Sequence, residues 1–398
     1  MTSTVSGNNA LPLAGIQVLD LSAYIAGPYG CTLLSDLGAQ VIKIEPPEGD
    51  NLRKYPSTLQ AESRAFIGVN RGKRGISLDL KSAEGYEIFL KLLLKADVLV
   101  HNFRPTVPPR LKIDFPTLSQ LNPKLVYCAM TGYGSSGPMA NNAGYDQVLQ
   151  AMSGICDSQG MGKTEPEIVY GSVVDFYASA MIANSVNAAL FKRERTGQGS
   201  YVEVSLLASA LTMQSTRLVW AEGEPKNIER DMRSGGITGI HPTKDGFIYL
   251  SANTPHFWEA LCTLLGLQAL ATDERYDTVR KRAENASIIV PIIRGALQQR
   301  SAQEWEAHFG TQVPCAMVRP VHDMFEHPQV QAEGLIREFS HSKIGKYKSI
   351  TGLIKMDHAA CATERAAPDF GEHTSELLTE YGYSEQQIDQ FRQRGIVR

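Results

Sequence analysis

The stretch GIQVLDLSAYIAGPYGCTLLSDLGAQVIKIEPP, residues 15–47, decides the fold. It opens on a short apolar run, GIQVLDLS, which reads as a strand covered on both faces. A helical pattern follows, PYGCTLLSDLGA, with Pro28 near its first turn, where a missing N–H costs nothing. QVIKIEPP is a second strand, closed by prolines. Outward from there the alternation continues. SAEGYEIFLKLLLKA (82–96) is an amphipathic helix, with Ser82 placed to cap it and Glu84 in its first turn. DVLVHNF (97–103) and KLVYCAMTGYG (124–134) are two more strands, and RTGQGSYVEVSLL (195–207) is a glycine turn leading into a strand of period two. This order argues an α/β architecture, a parallel sheet with helices on both faces. Around residues 221–246 the texture becomes polar and glycine-rich. Beyond it, the strand FIYLSA and the helices HFWEALCTLLGL, ASIIVPIIRGALQQ and SAQEWEAHF point to a smaller α+β domain. The tail returns to turns, short strands and a final helix, SEQQIDQFRQRG.

The 398 residues are enough for two domains or one large elaborated one. With 43% hydrophobic and 20% charged residues the composition is globular, and a net charge of −3 gives no reason to expect nucleic acid or an anionic membrane as partner. The six cysteines, 31, 128, 156, 262, 315 and 361, form no CxxC pair and read as free thiols of a reducing cytoplasm. The start, MTSTVSGNNALPLAG, has neither a basic opening nor an apolar core of a signal peptide, and no apolar run has the ~18 residues of a membrane span. A soluble, cytoplasmic protein is expected.

Several motifs fail. GMGKT (160–164) resembles a phosphate-binding loop, but the glycine required five residues before its second glycine is Asp157, which would face phosphates with like charge. The first strand–helix turn lacks G-x-G-x-x-G. There is no HExxH, no GxSxG and no metal-ligand spacing among the nine histidines, so no metal site is expected.

The segment VYGSVVDFYASAMIANSVNAAL (169–190) carries one charge, Asp175, ahead of a long apolar and small-residue run. Asp is a preferred helix cap, and on pattern alone capping outweighs catalysis. Ser179, Ile182, Val186 and Leu190 recur at helical spacing and read as core. The functional reading is that a carboxylate at a helix N-terminus stays ionised and, in a partly dry site, is a nucleophile. Such a nucleophile suits the movement of a thioester between carboxylic acids.

Here the residues become recognisable. GIQVLDLSAYIAGPYGCTLLSDLGAQVIKIEPPEGD, NRGKRGISLDLKSAEG, ADVLVHNFRP, LNPKLVYCAMTGYGSSGP, AGYDQVLQAMSG, the Asp175 segment, RTGQGSYVEVSLL and GEHTSELLTEYGY follow one another over about residues 11–385. In that order they resemble the class III CoA-transferases, the group of formyl-CoA and carnitine CoA-transferases. The resemblance implies a Rossmann-like large domain built from residues 1–222 and 329–398, a small domain over 223–328, and a homodimer of two interlocked rings. It implies coenzyme A as a co-substrate, with no tightly bound cofactor. Asp175 is the implied nucleophile, passing through mixed anhydrides and an aspartyl-CoA thioester, with backbone N–H groups as oxyanion donors. The implied CoA contacts are Ala23, Tyr24 and Ile25 after the first strand, then Lys73, Arg74, Leu78 and Lys81. Asn102, Phe103 and Arg104 follow, with Arg110 beyond.

Related α-methylacyl-CoA racemases carry a histidine before the aspartate of an AG-x-D motif. Here that residue is Tyr145, a phenol of pKa ~10 and a poor base at neutral pH. This argues for transfer over racemisation, with a racemase or a non-catalytic CoA-binding protein as alternatives. Ile25 replaces a glutamine of the formyl-CoA subfamily, and a run of four glycines is reduced to SGGITG (234–239). Both departures point to a larger acid, a C4–C5 dicarboxylate such as itaconate, mesaconate or malate, with succinyl-CoA as donor. Tyr133, Tyr145, Arg71 and His241 are candidates for the acid pocket, with Arg64 and Arg233 as further cations.

Overall fold

The computed structural model describes residues 11–159, 165–224 and 237–398. The chain forms two compact units, Met1–Val219 with Pro328–Arg398, and Trp220–His327.

In the first unit six strands form one parallel sheet. They are β1 (Gln17–Asp20), β2 (Gln40–Glu45), β3 (Lys73–Ser77), β4 (Val98–His101), β5 (Val126–Thr131) and β6 (Ser200–Ser205). Their order is β3-β2-β1-β4-β5-β6, each neighbouring pair parallel. Side chains alternate across a strand, and the apolar runs therefore feed two cores. Val18, Val98 and Val126 face one side, against α1 (Ala26–Asp36) and the long helix Val173–Thr196. Leu19, Leu99 and Tyr127 face the other, against the helix Ala83–Leu93 and the C-terminal Leu377, Leu378 and Ile388. Ser82 caps Ala83–Leu93 as its position predicts, its Oγ accepting the Gly85 N–H at 3.0 Å.

The remaining helices of this unit up to residue 219 are numbered in chain order: α2 (Arg64–Asn70), α3 (Ala83–Leu93), α4 (Val107–Leu111), α5 (Phe115–Leu121), α6 (Asp146–Met152), α7 (Ile155–Gln159), α8 (Val173–Thr196) and α9 (Leu206–Thr212); the C-terminal segment adds Pro328–Glu333, Thr374–Glu380 and Glu385–Gln393. The chain begins in the middle of the sheet, runs out to β3, and returns to β4 beside β1. The loops after β1 and β4 therefore leave in opposite directions, and the crevice between them is where open α/β sheets hold ligands.

Strand β3, Lys-Arg-Gly-Ile-Ser, has no apolar run to announce it. Parallel pairing with β2 makes it a strand, and the C-terminal segment covers its other edge. Gly75 N–H donates to His373 Nδ1 at 3.1 Å, and His373 N–H donates to the Gly75 carbonyl at 2.9 Å. An edge left bare would invite foreign pairing.

The second unit holds an antiparallel sheet of β7 (Gly239–Pro242), β8 (Phe247–Leu250) and β9 (Cys315–Met317), in that order. Its core is Trp258, Leu261, Ile289, Ile293, Trp305 and Phe309. Among the described residues no helix is long and apolar enough to cross a membrane, and no group of His, Cys, Asp and Glu is placed to hold a metal ion.

Candidate active site

Helix α8 starts unusually. Its N-cap residue, Ser172, sits at φ 56°, ψ 47° and its side chain makes no capping bond. Asp175 is the third residue of the helix and does not cap it either. The cap comes from another helix. Asp146, the first residue of α6 and 2% exposed, accepts the N–H groups of Val174 at 2.7 Å and Asp175 at 3.0 Å on its Oδ2. Its Oδ1 accepts Gln150 Nε2 at 2.5 Å. Gln150, fully buried, also holds both backbone groups of Val169, at 2.8 and 3.0 Å. The segment entering α8 and the helix's first turn are thus clamped by two side chains of α6.

This corrects the expectation that Asp175 stays ionised. The helix N–H groups that would favour its charge are occupied by Asp146. Burial, and then the negative charge of Asp146, raise the Asp175 carboxyl to about 7.

Helix α8 lies against α1 with little space between them. A Cβ on Gly30 would stand 2.8 Å from Ile182 Cγ2, inside contact distance. Ser179 Oγ donates to the Ala26 carbonyl at 2.8 Å, and Tyr29 meets Phe176, beside Asp175, edge-on at 5.0 Å. Ser179, Ile182, Val186 and Leu190 are all buried, as their spacing predicts.

The loop between β1 and α1 is braced from both sides. Asn102 accepts the Ala23 N–H at 2.9 Å and donates to the Ala23 carbonyl at 2.7 Å. Asp50 accepts the Tyr24 N–H at 3.2 Å. Tyr24 has φ 65°, a strained position for an aromatic residue. Asp50 is in turn paired with buried Lys43 at 3.0 Å, and Lys43 donates to the Ser22 carbonyl at 2.9 Å.

A cavity of about 140 Å³ opens at the crevice between β1 and β4. It is lined by Tyr24, Asn102, Phe103, Arg104 and Pro105, by Met130–Gly132 at the end of β5, and by Ala140, Asn142–Tyr145 and Leu206. Four of the CoA contacts implied by the resemblance thus share one cavity wall. Tyr145 lines it too, and its neighbour Asp146 holds Asp175. Arg104, Arg110 and Lys81 are exposed and make no ion pair among the described residues.

Other implied residues are placed differently. Lys73 is fully buried and its ammonium is consumed by Asp20 at 2.8 Å, the Pro28 carbonyl at 2.7 Å and Asn70 at 2.8 Å, which leaves no N–H for a phosphate. Arg74 is bound to Glu376 at 3.0 Å and Glu380 at 2.7 Å. Leu78 is 1% exposed in the core and gives its N–H to the Glu45 carbonyl at 2.7 Å, so it is closed to a ligand. Ala23 and Ile25 are half-buried in the braced loop.

The acid-pocket candidates are dispersed. Arg71 is fully buried on Asp36, its guanidinium 5.7 Å from the Tyr29 ring. His241 is fully buried within the second unit, its Nε2 on the Ile237 carbonyl at 2.9 Å, and burial lowers its pKa. Neither side chain is open to a carboxylate. Tyr133 braces its own loop by donating to the Ala143 carbonyl at 3.2 Å. Arg64 is exposed and donates to Thr58 at 2.8 Å. Arg233, the whole of GMGKT (160–164) and the start of SGGITG (234–236) lie outside the described residues. Asp146, Gln150 and Asp50 were not singled out from the sequence. The one trace of Asp146 was its place in the AG-x-D motif.

Asp175 does not line this cavity and is tied to it through Asp146, the neighbour of Tyr145; comparison with known proteins identifies the family. Residues 13–374 match the family described as CoA-transferase family III. The succinate–glutarate CoA-transferase of Agrobacterium fabrum is 32% identical over 94% of this chain and 96% of its own. The acetyl-CoA:oxalate CoA-transferase of Acetobacter aceti is 34% identical over 93% of this chain and 100% of its own. Among solved structures, Rv3272 from Mycobacterium tuberculosis superposes with a TM-score of 0.81 at 28% identity, over 92% of this chain and 99% of that one. The chain belongs to CoA-transferase family III and is a CoA-transferase, moving CoA between acyl-CoA and carboxylic acids.

Proposed function

We propose that the protein transfers CoA from succinyl-CoA to a C4–C5 dicarboxylic acid of the glutarate or itaconate kind, with Asp175 as nucleophile. The observation that carries this reading is Asp175 itself, held in the first turn of α8 with its carboxyl at about 7. Relatives named for succinyl-CoA with glutarate or L-malate support the substrate class. The unpaired Arg104, Arg110 and Lys81 are the cations of the implied set left for CoA phosphates.

The cycle follows from the carboxylate. Asp175 attacks the thioester carbonyl of the donor, the C–S bond breaks, and CoA thiolate leaves. The thiolate then attacks the aspartyl carbonyl of the mixed anhydride and expels succinate. The acceptor carboxylate attacks the aspartyl-CoA thioester, and the released thiolate attacks the acceptor carbonyl, which restores Asp175. Carboxylate and thiolate suffice, so the cycle needs no tightly bound cofactor. Tyr145 does not favour a racemase: a hydrogen bond with Tyr24, then its charge and partial burial, hold the phenol above its usual pKa.

We assign the protein to an interlocked homodimer in a reducing cytoplasm. Apolar side chains left in solvent, among them Tyr170, Phe191 and Leu218, support the dimer. Six unpaired cysteines suit the compartment.

The test is to incubate the protein with succinyl-CoA, trap with hydroxylamine or borohydride, and locate the modified peptide by mass spectrometry. Modification at Asp175 is expected, and Asp175→Ala is expected to abolish transfer while CoA still binds. Turnover by that variant would refute the mechanism.

A further inference from the structure

We propose that Asp146 is the positioning residue for Asp175: its carboxylate takes the place of the missing cap of α8, and its charge sets the pH range in which Asp175 attacks. The inference rests on Asp175 being the nucleophile.

The geometry is specific. A helix of 24 residues has N–H groups in its first turn that an anion would seek. Here two of them, on Val174 and Asp175, are already bound to Asp146. They are therefore not the oxyanion donors of the transfer reaction. What they do is fix the backbone that carries the nucleophile. Gln150 extends this hold to Val169, six residues before Asp175, so one buried pair on α6 fixes both the approach to α8 and its first turn.

The field at Asp175 is set by the groups on the elements around α8. The elements packed on it are α1, α6, α9, β5 and β6. None of them contains a lysine or arginine. On α1 the titratable groups are Tyr29, Cys31 and Asp36, and β5 adds the buried Cys128. Tyr201 of β6 stacks on Tyr127, on the sheet's far side, and Glu203 shares Tyr201's alternation. In the segment before the helix, Glu165 and Glu167 are exposed. The Asp146 carboxylate is the one whose charge acts on Asp175, and no cation from these elements opposes it. A protein that needed only an ionised aspartate would have capped the helix with a neutral side chain. An acidic cap keeps the nucleophile basic, and a more basic carboxylate attacks better once ionised.

The experiment uses the full chain with succinyl-CoA and glutarate, and records kcat and KM from pH 5 to pH 9. Asp146→Asn keeps an oxygen at the cap and removes the charge. Its acid limb in kcat/KM is expected to move down by about one pH unit. A limb that coincides with the wild type overturns the proposal. Gln150→Leu removes the hold on Val169 and leaves the charge in place. It is expected to lower kcat about tenfold, with KM for succinyl-CoA little changed, because the nucleophile is misplaced rather than the substrate unbound. Wild-type kcat in Gln150→Leu overturns the share of the hold assigned to Gln150; if Asp146→Asn does not fold, Asp146→Ser, which also caps without charge, is read by the same pH profile, and an unmoved limb overturns the proposal. Asp175→Ala separates the two readings. Turnover in that variant sinks the nucleophile; an inactive Asp175→Ala beside an unmoved Asp146→Asn profile sinks the Asp146 proposal alone.

Discussion

The carboxyl of Asp175 carries a cost that can be read as stability. Its pKa is about 7 in the folded protein against 3.8 for an unperturbed aspartate, so between those values the folded chain binds more protons than the unfolded one. Stability from this group is complete below the unfolded value and is lost as pH rises through 7. Asp175→Asn, which never ionises, is expected to be more stable than the wild type at pH 8 by about 2 kcal/mol, a three-unit shift discounted for partial solvent contact. The gap in melting temperature should close by pH 4, and an equal gain at pH 4 and pH 8 would contradict the assignment. Asp175 was legible because it is the one charge in an apolar segment. Asp146 was not, because an aspartate opening a short helix looks like that helix's own first-turn acid, and its partners lie 28 and 29 positions away. The ion pairs of Lys73 and Arg74 were hidden for the same reason. A lysine in a loop-like stretch looks like a surface charge until the fold brings Asp20 to it.

Elements written in apolar runs were readable. β1, β2, β4 and β5 were each visible as such a run, and β6 as alternation after a glycine turn. β3 was not visible, since its buried face is built from charges matched only in three dimensions. Burial would raise the Asp20 carboxyl, but Lys73 and Lys43 outweigh it and hold it below its usual value. Lys43, which burial would lower, is pushed up to about 12 by Asp50, Asp20 and Glu45. Breaking such a pair from one side leaves a buried charge without its partner. Lys73→Met is therefore expected to cost about 3–5 kcal/mol, read as a lower urea midpoint. A midpoint within error of the wild type would show that Lys43 alone satisfies Asp20. The crevice at the end of β1 and β4 was legible as a loop position, whereas the braces that shape it, Asn102 on Ala23 and Asp50 on Tyr24, join residues 79 and 26 positions apart.

At the level of the molecule, the proposal of an interlocked homodimer makes the plainest prediction. Light scattering should give twice the 43.6 kDa of one chain, unchanged on dilution, because linked rings part only on unfolding. A mass that falls towards one chain at low concentration would remove the interlock. A last consequence lies in the edge of β3, which is closed by residues 373–380, about 300 positions later in the chain. While the protein is being translated, that strand emerges early and its covering emerges late. Through most of synthesis the nascent first unit therefore presents a bare strand and half of a core, with the intervening unit made in between. Pairings of this separation are slow and exposed to aggregation. The chain thus has a long interval in which a chaperone would be of use, and that interval ends only when its last helices leave the ribosome.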